Sequence, residues 1–222
     1  MAGEFPGSPR LLKGALVSYS NPVLGVIPNV ILFQYNPEQL TRSLQMRLSY
    51  EPPSGAGQAV DDILKVSGPP TESINLAIEI DATDQLERSN PLAVLRGIQP
   101  TLAALELLLY PKNREVLSNK TRAEFEGTYV PEDLPLVLFV WGAARVLPVR
   151  LSSFTITEQA FDAMLNPILA RVDLGLEVLS YKDTGQDSIA HGVYLAMMVQ
   201  REVLAGLNVL NNAEAVLGLL PI

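Results

Sequence analysis

The sequence predicts a mainly β fold with peripheral helices (α+β): an antiparallel barrel or sandwich carrying a helical C-terminal extension. Three observations predict it. Apolar and polar residues alternate over several short runs, as half-buried strands require. No helix of crossover length stands between Trp141 and Val178, so those strands connect as antiparallel neighbours rather than as a doubly wound α/β sheet. After Tyr181 the apolar period changes from that of a strand to that of a helix. The expected division is a flexible arm over 1–14, a β domain over 15–182 with a helix at about 100–110, and a helical extension over 183–222.

The first nine residues are rich in Gly and Pro and form the loose part of the arm. Ala15–Ser20 and Asn29–Tyr35 read as strands. Asn36-Pro37 then breaks the chain, because Asn tolerates unusual backbone angles and Pro restricts the residue before it. Leu44, Met46, Leu48 and Tyr50 alternate with Ser43, Gln45, Arg47 and Ser49, a strand with one apolar face and one polar face. Glu51–Gln58, "EPPSGAGQ", is a loop.

Ile74, Leu76, Ile78 and Ile80 make the plainest half-buried strand in the chain. Asn90-Pro91 and Gln99-Pro100 are helix starts, since proline in the first turn forfeits no needed N–H bond. Leu102, Leu105 and Leu109 recur at helical spacing up to Tyr110, where Pro111 ends the run. Leu134–Trp141 is apolar on both faces, as a central strand is. Gly142 permits a tight connection to the run Arg145–Thr157, whose alternation breaks at Ser152-Ser153-Phe154 as a bulge would make it. Ile168 to Val178 is the last alternating series. In the tail, Ile189, Val193, Met197, Val203, Leu204 and Leu207 line one face of a helix from about Asp187 to Leu210, with a short apolar end after it.

Composition narrows the function classes. The 222 residues carry a formal charge of −8 and no Lys/Arg cluster, which argues against a non-specific grip on nucleic acid or an anionic bilayer. There is no cysteine, so disulfides, thiolate nucleophiles and Cys-based zinc sites are excluded. No long apolar core follows a basic start, so no secretory signal is expected. Glu106 interrupts one apolar stretch, and Gln200-Arg201-Glu202 stops another well short of the roughly 20 residues of a membrane span. A charged fraction of only 18% and a mean hydropathy of +0.21 leave apolar surface for subunit contacts.

No active site emerges. His191 is the only histidine, and its spacing from Asp187 is that of an ordinary helix-surface pair. Asp81, Asp84 and Glu87 fit a strand end and a helix-capping loop better than a calcium loop. Glu132 and Asp133 lie in a loop. Tyr35 and Trp141 could stack on a sugar or base, but Trp141 ends a very apolar strand and reads as core or core edge. No phosphate loop is present. No catalytic, cofactor-binding or metal-binding residue and no cofactor are expected.

Four blocks in order carry a resemblance: "VILFQYNPEQLTRS", "SINLAIEIDATD", "LPLVLFVWG" and "LSSFTITEQAFDAMLNPILARVDLGLEV". Together, from about Val30 to Ser180, the chain resembles the tube-like baseplate adaptor proteins of contractile injection systems and contractile phage tails. Phe33, Asn36 and Pro37 match that family's Phe-x-x-Asn-Pro block. Pro135, Trp141 and Gly142 match its Pro…Trp-Gly strand and turn. Phe161, Asn166, Pro167 and Arg171 match the turn and outgoing strand where the family has Gly-x-Pro. Leu165 takes the place of that glycine, so a turn of different shape is expected if the glycine serves a positive φ.

The resemblance implies a tail-tube-like fold and a structural role without catalysis. Identical copies would close a ring, sixfold in tube families, that joins the inner tube to the spike or hub and to other baseplate proteins, with the sheath as a further neighbour. It implies assembly in the bacterial cytoplasm and release, if any, with the particle. An inner-tube initiator of the same particle, or a carbohydrate- or peptidoglycan-binding module, is the alternative, with a hydrolase of dispersed carboxylates behind them. Many family members carry a C-terminal LysM module; "DTGQDSIAHGVYLAMMVQREVLAGLNVLNN" gives only a faint echo of it, and a helical attachment is expected instead. Glu51–Gln58 and the stretch 111–133 are expected to touch neighbouring rings, spike or sheath.

Overall fold

The computed structural model describes residues 12–19, 28–47, 66–111, 119, 133–142 and 144–211. The loop Glu51–Gln58, residues 112–118 and 120–132 of the polar stretch, and the apolar end 213–222 lie outside the described residues.

Seven strands form one sheet: β1 Ala15–Tyr19, β2 Asn29–Leu32, β3 Leu40–Gln45, β4 Thr71–Asp81, β5 Leu136–Val140, β6 Val146–Phe161 and β7 Pro167–Val178. Their spatial order is β2-β1-β5-β6-β7-β4-β3, and every pairing is antiparallel. Helices accompany them among the described residues: α1 Thr83–Glu87, α2 Pro91–Arg96, α3 Gln99–Glu106 and α4 Ile189–Asn211. The mainly β, antiparallel reading of the sequence therefore holds, with helices at the periphery.

The period-two pattern of β4 explains the core. Ile74, Leu76, Ile78 and Ile80 all point inward, as do Ala170, Val172, Leu174, Leu176 and Val178 of β7. Against them pack Val137 and Phe139 of β5, Leu147 and Val149 of β6, and Ile98, Leu102, Leu105 and Leu108 from the α3 region. β5 is buried along its middle, Val137 to Phe139, as a strand flanked by β1 and β6 must be. The ladder of β6 on β7 slips between Leu151 and Ser153, where the bulge was expected, and again between Glu158 and Phe161.

β2 and β3 are adjacent in sequence yet stand at opposite edges of the sheet. The link Phe33–Gln39 carries the chain from one edge to the other. Phe33 drops into the core, and the Gln34 side chain reaches β4, where its Oε1 accepts the Asp81 N–H at 2.9 Å. One short strap thus binds both ends of the sheet to a common interior.

Several expectations are corrected. β2 stops at Leu32, because Phe33 turns inward and its N–H pairs with Gly14 O outside the strand. Of the apolar face expected around β3, Leu44 and Met46 are exposed, Leu40 alone of the described β3 residues packs against the core, and Leu48 and Tyr50 lie outside the described residues. α3 ends at Glu106 rather than Tyr110, and the chain continues through turns that still bury Leu108. α4 has the expected length, but only part of the expected face is packed: Met197 is buried as expected, together with Ala190 and Tyr194, whereas Ile189, Val203, Leu204 and Leu207 face solvent. Residues 12–14, assigned to the arm, are bonded into the strap, with Lys13 Nζ donating to Gln34 O at 3.0 Å. No helix among the described residues is long and apolar enough to cross a membrane.

Candidate functional site

The residues singled out by sequence fall into three places. The first is the strap. Asn36 works as a mock strand: its Oδ1 accepts the Gly14 N–H at 2.9 Å, and its Nδ2 donates to Leu12 O at 2.8 Å. With Phe33 N donating to Gly14 O at 2.8 Å, three bonds continue the β1–β2 ladder past the end of β2. Pro37 is half-buried beside it, and Tyr35 is exposed. Asn36→Ala removes two bonds and leaves the Gly14 N–H, itself partly buried, without that partner. A loss of about 1–2 kcal/mol follows, read as a melting temperature lower by roughly 2–8 °C in a chain of this size. An unchanged melting curve would show that the clamp contributes nothing.

The second place is the β5–β6 hairpin. Phe33, Phe139 and Trp141 form one aromatic cluster, with Phe139 and Trp141 stacked at 5.9 Å and Phe33 6.5 Å from each. Trp141 is half-buried at the core edge, and its N–H donates to Arg145 O at 2.8 Å to close the hairpin. Gly142 has φ +69°, with open space where a Cβ would stand, so its glycine is needed for the backbone angle and not for room. Pro135 sits half-buried just before β5.

The third place is the β6–β7 turn. Phe161 closes β6 opposite Pro167 of β7 and is 48% exposed. Between them Asp162 organises the chain: Oδ1 accepts Met164 N and Asn166 N at 2.8 Å each, and Oδ2 accepts Asn166 Nδ2 at 2.8 Å. The Asn166 side chain, then its backbone N–H, hold the Asp162 carboxyl below its usual range. A carboxylate so lowered supports the turn above its ordinary titration range and loses that support as pH falls through the lowered value. Leu165 has φ +62°. Leucine adopts the left-handed angle itself, between the Met164 and Asn166 N–H groups that Asp162 Oδ1 accepts. Arg171 lies on the outer face of β7, its Nε 3.3 Å from Asp173, and lines an open groove of about 600 Å³ with Tyr35, Pro37, Gln39 and Glu79.

Three of these residues meet in one groove, since Asn36 and Pro37 of the strap and Arg171 of β7 line it together. Trp141 and Gly142 lie in a different turn. Most of the set are therefore fold-forming: they close turns and extend ladders.

Sequence reasoning missed Glu72. It sits on the inward row of β4, 3% exposed, in phase with Ile74 to Ile80. Arg201 of α4 donates to its Oε2 at 2.7 Å, and Arg42 Nε of β3 lies 2.5 Å from Oε1, close in charge though not aligned as a directed hydrogen bond. This carboxylate ties α4 and the edge strand β3 to the sheet. The alternating pattern itself held the signal, because a Glu on an apolar row requires a cation.

His191 stacks edge-on to Tyr181 at 6.5 Å, with Nδ1 buried and without a hydrogen-bond partner, and the Ser188 hydroxyl accepts its backbone N–H. The surface pairing with Asp187 expected from the sequence is not among the described ion pairs. Asp81 caps the turn into α1 through Thr83 N at 2.7 Å, as its loop position suggested. Among the described residues, no three His, Asp or Glu side chains come together as a metal site. No protein-family model matches the chain, and no curated protein matches it.

Proposed function

We propose that this chain is a structural ring protein of a contractile, phage-tail-like particle, an adaptor through which the inner tube meets the spike and baseplate. The observation that carries the reading is the state of the two sheet edges. Among the described residues β2 and β3 each have one strand partner, and β2 carries none of the lysine, proline or inward charge by which solitary proteins blunt an edge. β2 is uncharged and exposes Val30 and Leu32; the one charge of β3, Arg42, is engaged by Glu72. Pairing each edge with a neighbouring copy would satisfy both, and a contact between unlike edges closes a ring. The order of the four sequence blocks supplies the particle type, and the tail-tube-like barrel belongs to the same proposal.

The test is assembly. The purified chain is expected to sediment far above 24.1 kDa and to appear as closed rings by electron microscopy. Val30→Lys with Leu32→Lys places two charges on the β2 edge at exposed positions, so the subunit keeps its melting temperature while rings are lost. Rings that persist in that variant would remove β2 from the contact. A chain that stays monomeric at high concentration and binds cell-wall polymer would favour the carbohydrate-binding alternative.

A further inference from the structure

Where α4 crosses the starts of β4 and β6, three distant parts of the chain meet around a cavity of about 210 Å³. β3 supplies Arg42, the β5–β6 hairpin supplies Trp141, Arg145 and Leu147, and α4 supplies Arg201 and Leu204. β6, β7 and β4 stand between β5 and β3 in the sheet, so the sheet curls far enough for Arg42 and Trp141 to line one space. No run of basic residues in the sequence marks this place, because its three arginines come from three separate segments.

The charge here is unbalanced. Arg42 and Arg201 flank a single carboxylate, Glu72, whose side chain is 4% exposed. Arg145 adds a third guanidinium, so three positive charges face one negative charge in a chain whose net charge is −8. Arg145 is half-buried and has no carboxylate of its own: the arginines in the described ion pairs are Arg42, Arg47, Arg150, Arg171 and Arg201. Among the described residues no carboxylate lines the cavity, and Glu202, next to Arg201 in the chain, lines a separate one with Lys182. A partly buried cation is costly without an anion beside it. Arg145 is nonetheless held in place. Its carbonyl accepts the Trp141 N–H at 2.8 Å, and the next N–H, of Val146, donates to Met197 Sδ at 3.3 Å. A fixed backbone presents the guanidinium, which lowers the ordering cost of binding.

We propose that this cavity binds a carboxylate carried on an apolar stem. The guanidiniums supply the head group's partners, since their planar forks match a carboxylate's two oxygens. Trp141, Leu147 and Leu204 make the rest of the wall apolar, which suits a hydrocarbon stem. The same wall disfavours inorganic phosphate, whose oxygens would all need polar partners. The volume lies below the roughly 300–1,000 Å³ of sites for drug-sized ligands, so the ligand has the size of one peptide side chain or a short-chain acid. A glutamate side chain of another protein and a free short-chain acid bring the same chemistry. The site stands whether or not rings form, because it uses no residue of β2 and only the Arg42 side chain of β3.

The experiment is titration of the full chain at low salt with potassium hexanoate, against potassium chloride of equal concentration. Trp141 is the only tryptophan, so its fluorescence reports this cavity directly. Hexanoate is expected to change that fluorescence saturably, with a Kd of about 1 mM or tighter. Hexanol, which lacks the charge, and inorganic phosphate, which lacks the stem, should each bind about 10-fold more weakly or worse. Arg145→Gln removes a guanidinium without an ion pair, so the melting temperature should hold while hexanoate affinity falls about 10-fold or more. Arg150→Gln breaks the exposed pair with Glu177 instead and should leave hexanoate binding unchanged. N-acetyl-glutamate N-methylamide separates the two sources: tighter binding than hexanoate identifies a protein side chain, weaker binding a free acid, and both support the site. The inference is overturned if hexanoate acts only as chloride does up to about 20 mM, or if hexanol or phosphate binds as tightly. It is equally overturned if Arg145→Gln binds hexanoate as the parent does, or if Arg150→Gln weakens binding as much as Arg145→Gln.

Discussion

Ile78→Asp is expected to abolish the folded state. Ile78 is 2% exposed, lies between Leu76 and Ile80 on the inward row of β4, and stands opposite Val172 of β7. Removing a buried isoleucine side chain costs roughly 2–5 kcal/mol, and placing a carboxylate there without partners adds several more. The sum approaches or exceeds the roughly 5–15 kcal/mol by which domains are stable. Glu72 shows what an inward carboxylate on this strand requires, namely two arginines, and they serve a position six residues and about 20 Å distant. Circular dichroism of Ile78→Asp should show no cooperative melting, while Ile78→Val should lose about 1 kcal/mol and melt a few degrees lower. A soluble Ile78→Asp protein with a wild-type transition would mean that this face of β4 is not the core.

That same strand shows how far the sequence could be read. Four alternating aliphatic residues located the core face of β4, and the alternation in β7 and the doubly apolar run of β5 did the same for their strands. Local backbone chemistry was equally legible: Asn90 caps α2 through Leu92 N at 3.0 Å, and Gly142 supplies the positive φ of its hairpin. What escaped depends on partners distant in the chain. Asn36 announced a turn, but the Leu12 and Gly14 groups it clamps lie more than twenty residues earlier. The packed face of α4 was misjudged because apolar residues surround most of that helix, and periodicity cannot say which of two apolar faces meets the sheet. β3 was misjudged for a related reason: alternation marks a face that can be buried, while burial needs a layer to cover it. Both misreadings concern apolar surface that the sequence assigned inward and the structure leaves outward.

Gly97→Ala is expected to detach the helical layer from the end of the sheet. Gly97 closes α2 with φ 56° and ψ −130°, a region that residues with a Cβ scarcely enter. A Cβ built there would lie 2.1 Å from Pro167 O, and that oxygen is a backbone atom at the first residue of β7, which cannot rotate aside. It is also the acceptor for the Ile98 N–H, so relief of the clash would break the 2.9 Å bond that starts α3 against the sheet. Backbone strain and the lost bond together amount to about 3 kcal/mol or more, a fall in melting temperature of roughly 6–12 °C. Hydrogen exchange should localise the loss, with faster exchange over α2, α3 and the start of β7 and little change in β5. Equal protection in the variant and the parent would show that the close approach of Gly97 to Pro167 does not hold the layers together.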